Sequence, residues 1–311
     1  MRTFTRNYSH QHYRRLTVPR RKKKTFLYIK LTAAGICLVI IILVSKNAFT
    51  NSHNEPEPAA GQALAAKHEP ANEAQEPPKR QVDTSKLKAD LDQIINQYPY
   101  NISVSVIDLN SDTLVQAGDE KPFIAASTTK LITALLYLDN VEAGQDNLDT
   151  LISGKPAREQ LELAIKQSDN NAWHRLDSHL GKANLTAYTQ KHKLTSYDYS
   201  SNTITSNDMA LLTAKLYKRE LLNEEHTKLL LSWMQNTSEE RFIPAAVPAG
   251  VPVYHKAGYL AERVHDVAVI DNGSAPFAIV IYSKSYTASY DYLLGQEMFR
   301  QVTEHVMATF K

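Results

Sequence analysis

An apolar run near the N-terminus divides the chain into parts with different surroundings. Residues 26–44 contain one charged side chain, that of Lys30. A helix of about 19 residues is roughly 28 Å long, close to the roughly 30 Å hydrocarbon thickness of a bilayer. We therefore predict a transmembrane anchor over residues 26–45. We expect it to be retained, because no small-residue cleavage pattern follows it closely and the single cysteine, Cys37, lies within the run.

The charges on the two sides of this run have opposite signs. Residues 1–46 hold 11 Lys and Arg and no acid, which leaves 24 basic against 33 acidic residues for the rest of the chain. Basic residues flank the cytoplasmic end of membrane spans, so residues 1–25 are predicted to be a cytoplasmic tail and the C-terminal part to be extracellular. Basic runs also suit nucleic-acid binding. Beside a membrane span we favour the anchor and expect no nucleic-acid partner.

Residues 46–85 are predicted to form a disordered spacer. They contain five prolines and few large apolar side chains, so they cannot bury enough surface to fold. The remaining residues, 86–311, are predicted to form one folded domain. With one cysteine in the whole chain, this domain has neither an internal disulfide nor a thiolate zinc site.

Helical and strand patterns follow one another unevenly along this domain. A predicted helix over 86–98 and a strand over 102–109 are followed by several helices, the first of which begins at Ser127. Three strands and a final helix then come in succession, at 251–255, 264–270, 277–284 and 290–309. This order predicts an α/β (α+β) domain, with an antiparallel sheet built from both chain ends and an all-helical lobe inserted between them.

The motif Ser127-Thr128-Thr129-Lys130 opens the first of the inserted helices. Three residues along a helix bring two side chains onto one face, about 4.5 Å apart along the axis. Ser127 is thus a candidate nucleophile beside Lys130, which becomes a base if burial or a neighbouring cation lowers its pKa. Alone, this pattern more often marks a helix-capping serine and a solvated lysine.

Two further motifs are weak when taken singly. Ser168-Asp169-Asn170 is a common turn or helix-capping tripeptide. Lys256-Ala257-Gly258 comes at the end of the predicted strand 251–255. A glycine there permits the close approach of a ligand, and the lysine offers a positive charge to a carboxylate.

In this order, S-x-x-K, S-D-N and K-[TS]-G are the motif set of class A β-lactamases and penicillin-binding proteins. The third motif has Ala257 in place of Thr or Ser. The segments 108–130 and 222–235, the 248–250 turn, the Lys256 strand and the final helix also resemble those of class A enzymes. Over about residues 88–310 the chain is similar to a class A β-lactamase-like, penicillin-recognising serine hydrolase, which implies a β-lactamase/DD-peptidase-like fold.

The resemblance implies a role for each matching residue. Ser127 would be the acylated nucleophile, and Lys130 its general base, kept neutral partly by the charge of Lys256. Ser168 would pass a proton to the leaving nitrogen. No cofactor and no metal ion is implied.

The resemblance also implies how a substrate is held. Asn170 would bind the substrate amide, and Lys256 would support the substrate carboxylate beside Gly258. The backbone N–H groups of Ser127 and Tyr259 would form the oxyanion hole, in which loss of one donor costs about 3 kcal/mol of barrier.

Two departures from the family pattern bear on activity. Class A β-lactamases carry a deacylating glutamate after S-D-N, whereas residues 191–205 contain no Glu and one acid, Asp198. Ala257 lacks the hydroxyl that would bond the substrate carboxylate, which weakens binding by one or two powers of ten if about 1.5–3 kcal/mol is lost. The neighbouring His265-Asp266 pair offers compensating polarity, or is a polar turn at the end of a strand.

Three functions remain open from the sequence. The first is a serine acyltransferase or hydrolase that forms an acyl-enzyme with β-lactams or with D-alanyl peptides of peptidoglycan. The second is a true β-lactamase with a rearranged deacylation site. The third is a catalytically lapsed domain that binds cell-wall material or a partner.

Overall fold

The computed structural model describes residues 82–311. The predicted tail, the predicted anchor and most of the predicted spacer lie outside these residues. Within them the strands are β1 (Tyr100–Asp108), β2 (Leu114–Gly118), β3 (Phe123–Ile124), β4 (Leu151–Ile152), β5 (Lys155–Pro156), β6 (Thr203–Ile204), β7 (Val253–Leu260), β8 (Arg263–Ile270) and β9 (Phe277–Ser285). The helices are α1 (Thr84–Ile95), α2 (Lys130–Glu142), α3 (Ala157–Lys166), α4 (Asn170–Leu180), α5 (Lys182–Lys191), α6 (Ser206–Tyr217), α7 (Glu224–Trp233) and α8 (Tyr292–Thr309), and 3₁₀ turns span Ala126–Thr129 and Pro244–Ala246.

A five-stranded antiparallel sheet with the order β2-β1-β9-β8-β7 carries the fold. β1 pairs with β9 along its whole length, from Tyr100 opposite Ser285 to Asp108 opposite Phe277. Strands from the beginning and the end of the domain therefore meet inside one sheet, and α2 to α7 are inserted between β2 and β7 in the chain. This arrangement confirms the predicted α+β fold with its helical lobe.

Hydrophobic cores cover both faces of the sheet. Leu91 of α1 and Phe299 of α8 pack with Ile281 of β9 on one face. Leu135 of α2 packs with Val280 of β9 on the other. Successive side chains of a strand point to opposite faces, so a strand covered on both sides is apolar without alternation, as β9 is over residues 277–282.

The first helix begins earlier than the sequence pattern predicts. α1 starts at Thr84, and the Asp83 carboxylate accepts the backbone N–H of Lys86 as its N-cap. A spacer that runs to residue 85 is therefore wrong at its C-terminal end by two residues. The cap explains the shift, because an N-terminal Asp satisfies a backbone donor that the first helical turn leaves free.

The third motif also lies elsewhere than predicted. β7 begins at Val253 and continues to Leu260, where it is still paired with Arg263 of β8. Lys256-Ala257-Gly258 is therefore in the middle of a strand and not at its end. The hairpin partner, which a local pattern does not reveal, extends the strand.

The described residues do not include the predicted membrane span. Among residues 82–311, no helix combines the length and the apolar character that a bilayer span requires. The span predicted at 26–45 lies outside the described residues and stays a prediction.

Candidate active site

Ser127 lies in a tight turn that leads into α2. We call residues 126–129 the nucleophile turn; its first residue, Ala126, has φ of 52°, a costly conformation that clusters at functional sites. Asn202 holds the turn from the neighbouring loop. Its Oδ1 accepts the Thr129 hydroxyl at 2.7 Å, and its Nδ2 donates to the Ala126 carbonyl at 3.1 Å. These contacts give the turn a fixed shape.

Lys130 is buried beside this serine and is 1% exposed. Its Nζ lies 3.0 Å from Ser127 Oγ, 2.6 Å from the Ser168 carbonyl oxygen and 2.7 Å from Asn170 Oδ1. Burial lowers the pKa of Lys130 to about 8, and the Asp169 charge acts in the opposite direction. A substantial fraction of Lys130 is therefore neutral in mildly alkaline solution, and a neutral amine accepts the hydroxyl proton of Ser127.

The Ser168 hydroxyl joins Lys130 to a second lysine. Lys256 Nζ donates to Ser168 Oγ at 3.0 Å, and Lys130 Nζ lies 3.3 Å from the same oxygen. Ser168 has φ of 56° in the turn before α4, so its carbonyl and its hydroxyl both face the lysines. The structure thus brings Ser127, Lys130, Ser168 and Lys256 together, with Asn170 beside them.

The two lysines influence each other's charge. Burial lowers the pKa of Lys256 to about 7, the Lys130 charge adds to this effect, and Asp266 and Glu239 oppose it. Two ammonium groups that share one serine oxygen repel each other, so the pair loses its first proton near neutral pH. The cation effect therefore runs opposite to the expectation: the Lys130 charge lowers the pKa of Lys256, whereas burial lowers the pKa of Lys130. Lys256 is not a permanently charged partner.

Gly258 allows β7 to lie directly against the nucleophile turn. A Cβ atom at this position would lie 2.7 Å from the Ser127 nitrogen and 2.9 Å from the Thr128 nitrogen. Both are backbone atoms and cannot rotate away. The sequence suggests that the missing side chain makes room for a ligand, but the protein's own backbone takes that room.

The two neighbours of Gly258 present different groups. Ala257 is 4% exposed, its methyl group packs in the core that includes α8, and its carbonyl accepts a hydrogen bond from Lys256 Nζ at 2.7 Å. The structure thus places the backbone, and not the side chain, of residue 257 beside the lysine. Tyr259 has an exposed ring, and its hydroxyl donates to the Glu239 carboxylate at 3.2 Å.

A family profile identifies the relatives of this chain. The profile described as the β-lactamase enzyme family matches residues 86–310. The chain belongs to the β-lactamase enzyme family.

Solved structures of similar fold include both penicillin-related and β-lactamase proteins. PBP-A is 25% identical, with a TM-score of 0.66 over 73% of this chain and 96% of that chain. The ancestral class A β-lactamase GNCA is 23% identical, with a TM-score of 0.67 over 72% and 100%. A variant of the extended-spectrum β-lactamase TLA-1 is 18% identical, with a TM-score of 0.66 over 73% and 98%. No curated protein sequence gave a significant match.

The loop between α5 and α6 follows the S-D-N motif, as the deacylating loop does in class A enzymes. Its one acid, Asp198, is exposed, and its carboxylate accepts the Ser200 N–H at 2.7 Å. In the described part of the chain, no carboxylate is hydrogen-bonded to Ser127 or Lys130. Residues 82–311 also contain no cluster of acids, histidines or cysteines arranged to hold a metal ion.

Tyr282 and His265 support the nucleophile turn and the residues before it, a role that no sequence motif indicates. The Tyr282 hydroxyl lies 2.9 Å from Thr128 Oγ1, and its ring centroid is 4.5 Å from that of His265. Burial lowers the pKa of His265 to about 4. The neutral ring then carries its proton on Nε2, which donates to the Ile124 carbonyl at 2.9 Å, and accepts the Ser283 N–H on Nδ1. The only sequence signal for the His265–Tyr282 pair is the alternation of inward and outward side chains along β8 and β9.

A second buried group lies on the face of β7 opposite to that of Lys256. His255 Nδ1 is 3.0 Å from Asp266 Oδ1, and its Nε2 is 3.2 Å from Glu240 Oε1. Burial favours the neutral ring, but the two acids outweigh it and raise the pKa of His255 to about 9. Asp266 also accepts the Ile243 N–H at 3.2 Å. His265 and Asp266 are thus buried on opposite faces of β8, not in a strand-end turn, and Asp266 ties the loop after α7 to β7.

We predict that Gly258→Ala prevents acylation of Ser127 and lowers the free energy of unfolding by about 1–3 kcal/mol, because the new methyl group overlaps backbone atoms. Penicillin adduct formation and urea denaturation measure the two effects. Gly273→Ala is the control, because a Cβ there meets nothing within 4 Å and only its φ of 85° is unfavourable. Normal acylation by Gly258→Ala would contradict the close packing.

We predict that protonated His255 stabilises the fold in a pH-dependent way. Its pKa rises from 6.5 to about 9 on folding, so the stabilisation is complete below about pH 6.5 and is lost as the pH rises through 9. The difference in unfolding free energy between wild type and His255→Gln should shrink by up to about 3 kcal/mol over this range. Effects of the two site lysines largely cancel in this difference. A constant difference would show that His255 does not carry the charge.

Proposed function

We propose that this protein is a membrane-anchored, extracytoplasmic serine enzyme that forms an acyl-enzyme on Ser127 with β-lactams or D-alanyl cell-wall peptides. The observation that carries the proposal is the buried Lys130 amine, 3.0 Å from Ser127 Oγ and with a pKa lowered to about 8. A lysine in solution would be almost fully charged at neutral pH and would not serve as a base.

Acylation follows from this geometry. Neutral Lys130 takes the hydroxyl proton as Ser127 Oγ attacks the carbonyl carbon, and the carbonyl oxygen gains a negative charge. The N–H groups of Ser127 and Tyr259 are the expected donors to that oxygen. The contact of Gly258 with the Ser127 backbone supports this, because it brings β7 next to the turn.

The leaving nitrogen needs a proton when its bond to the carbonyl carbon breaks. We propose that Ser168 supplies it, a role supported by its hydroxyl lying 3.3 Å from Lys130 Nζ and 3.0 Å from Lys256 Nζ. The proton taken from Ser127 therefore has a route through Lys130 and Ser168 to the leaving group. Asn170, whose Oδ1 accepts from Lys130, is the expected contact for the substrate amide.

Among the described residues, the site has no positioned general base for deacylation. Hydrolysis of the acyl-enzyme is accelerated about 10²–10⁴-fold by a positioned general base. The single acid of the loop before α6, Asp198, is exposed and bonded within its own loop. We therefore propose that the acyl-enzyme persists. A PBP-A mutant was solved as an acyl-enzyme complex with penicillin G, and that observation concerns PBP-A alone.

Anchoring and location rest on the sequence. The apolar run at 26–45 behind a basic tail is the basis for a single-pass protein with its N-terminus in the cytoplasm. A cell-wall peptide is then within reach of the C-terminal domain on the outer side.

We predict that the full-length protein gains the mass of an opened penicillin and keeps it over time, and that Ser127→Ala does not. Intact-mass measurement after mixing and after dilution tests this. Rapid loss of penicillin with only a transient adduct would instead support a true β-lactamase with a rearranged deacylation site. The absence of any adduct at high penicillin concentration would contradict the proposal and favour a lapsed, cell-wall- or partner-binding domain.

A further inference from the structure

We propose that Glu239 is a specificity-determining residue of this site. Its carboxylate is bonded to Tyr259, on the same strand as Lys256. It makes the site favour acyl donors that are uncharged at the position facing Lys256 over donors that carry a carboxylate there. This inference rests on the acyl-enzyme function proposed above.

Glu239 is fixed to the strand that carries the site lysine. It lies in the loop between α7 and the 244–246 turn, and its side chain is 13% exposed. Its carboxylate accepts the hydroxyl of Tyr259, three residues after Lys256, and its backbone N–H donates to Thr237 Oγ1 at 3.1 Å. The carboxylate is therefore held against β7 and is not a freely moving surface group.

Arg241 holds the same carboxylate from the solvent side. Its Nε donates to one oxygen of Glu239 at 2.8 Å and its Nη2 to the other at 3.1 Å. A bidentate pair of this kind fixes orientation as well as charge. The arginine side chain is 52% exposed, so water screens its charge more than it screens the largely buried acid.

The acid acts on the lysine that would receive an anionic ligand. Burial and the Lys130 charge lower the pKa of Lys256, and Glu239 is one of two acids that oppose this. Glu239 thereby supplies part of the negative charge that a substrate carboxylate would bring. A bound carboxylate would meet this like charge at short range, which in a partly buried site weakens its binding roughly fivefold to tenfold.

The side chain at position 257 also disfavours a substrate carboxylate. The side chain at position 257 packs in the core and carries no hydroxyl, so β7 offers a carboxylate no side-chain donor there. The substrate class that fits is an acyl donor whose chain continues through an uncharged amide past the scissile bond. Donors that end in a free carboxylate at that position fit less well.

The test compares benzylpenicillin, which carries a carboxylate, with its uncharged methyl ester. The readout is the ratio of their acylation rate constants, measured by intact mass on the full-length protein. Glu239→Gln should raise the carboxylate-to-ester ratio fivefold to tenfold. Arg241→Gln should lower the ratio, because the acid then loses its positive partner. Glu162→Gln, which removes an exposed charge from α3, should leave the ratio unchanged.

The two variants separate a charge effect from a structural one. Both break the same ion pair, so a merely structural role predicts that both shift the ratio in the same direction. That result, or an unchanged ratio in Glu239→Gln, would overturn the inference while leaving the acyl-enzyme function intact. If neither compound forms an adduct with folded wild-type protein, the proposed function fails and this inference fails with it.

Discussion

The chemistry of this domain depends on two lysine side chains that are buried against one serine hydroxyl. Removing an ammonium group from water is expensive, and the usual relief is the loss of its proton. Burial is the main reason why the pKa values of Lys130 and Lys256 are both lowered. The fold therefore lowers the pKa of both amines without a bound substrate, as the proposed acylation requires of Lys130.

This burial requires two distant parts of the chain to touch. The helical lobe carries Ser127, Lys130 and Ser168, whereas Lys256 lies on the edge strand of the sheet. Gly258 closes the gap between them, because its missing side chain lets strand backbone meet turn backbone. The Tyr282 hydroxyl bonds Thr128 of the turn, and His265 bonds the Ile124 carbonyl just before it. Stability and reactivity thus share the same contacts.

Much of this arrangement was predictable from short motifs and strand patterns. Ser127, Lys130, Ser168 and Asn170 converge with Lys256 as the motif order implied, and the sheet has the predicted origin. The rest depends on contacts that local patterns do not encode. The close packing at Gly258 depends on a backbone more than a hundred positions away. Asp266 acquires its role only when β8 brings its carboxylate within hydrogen-bond distance of His255.

The lowered pKa values of the two lysines are most directly tested by an NMR titration of protein labelled with ¹³C at the lysine Cε atoms. We expect two lysines that lose their protons well below the ordinary value, near pH 8 and pH 7. Their signals should vanish in Lys130→Ala and Lys256→Ala respectively. If both residues instead titrate near the usual lysine pKa of about 10.4, Lys130 is not a base at neutral pH, which contradicts the proposed acylation of Ser127.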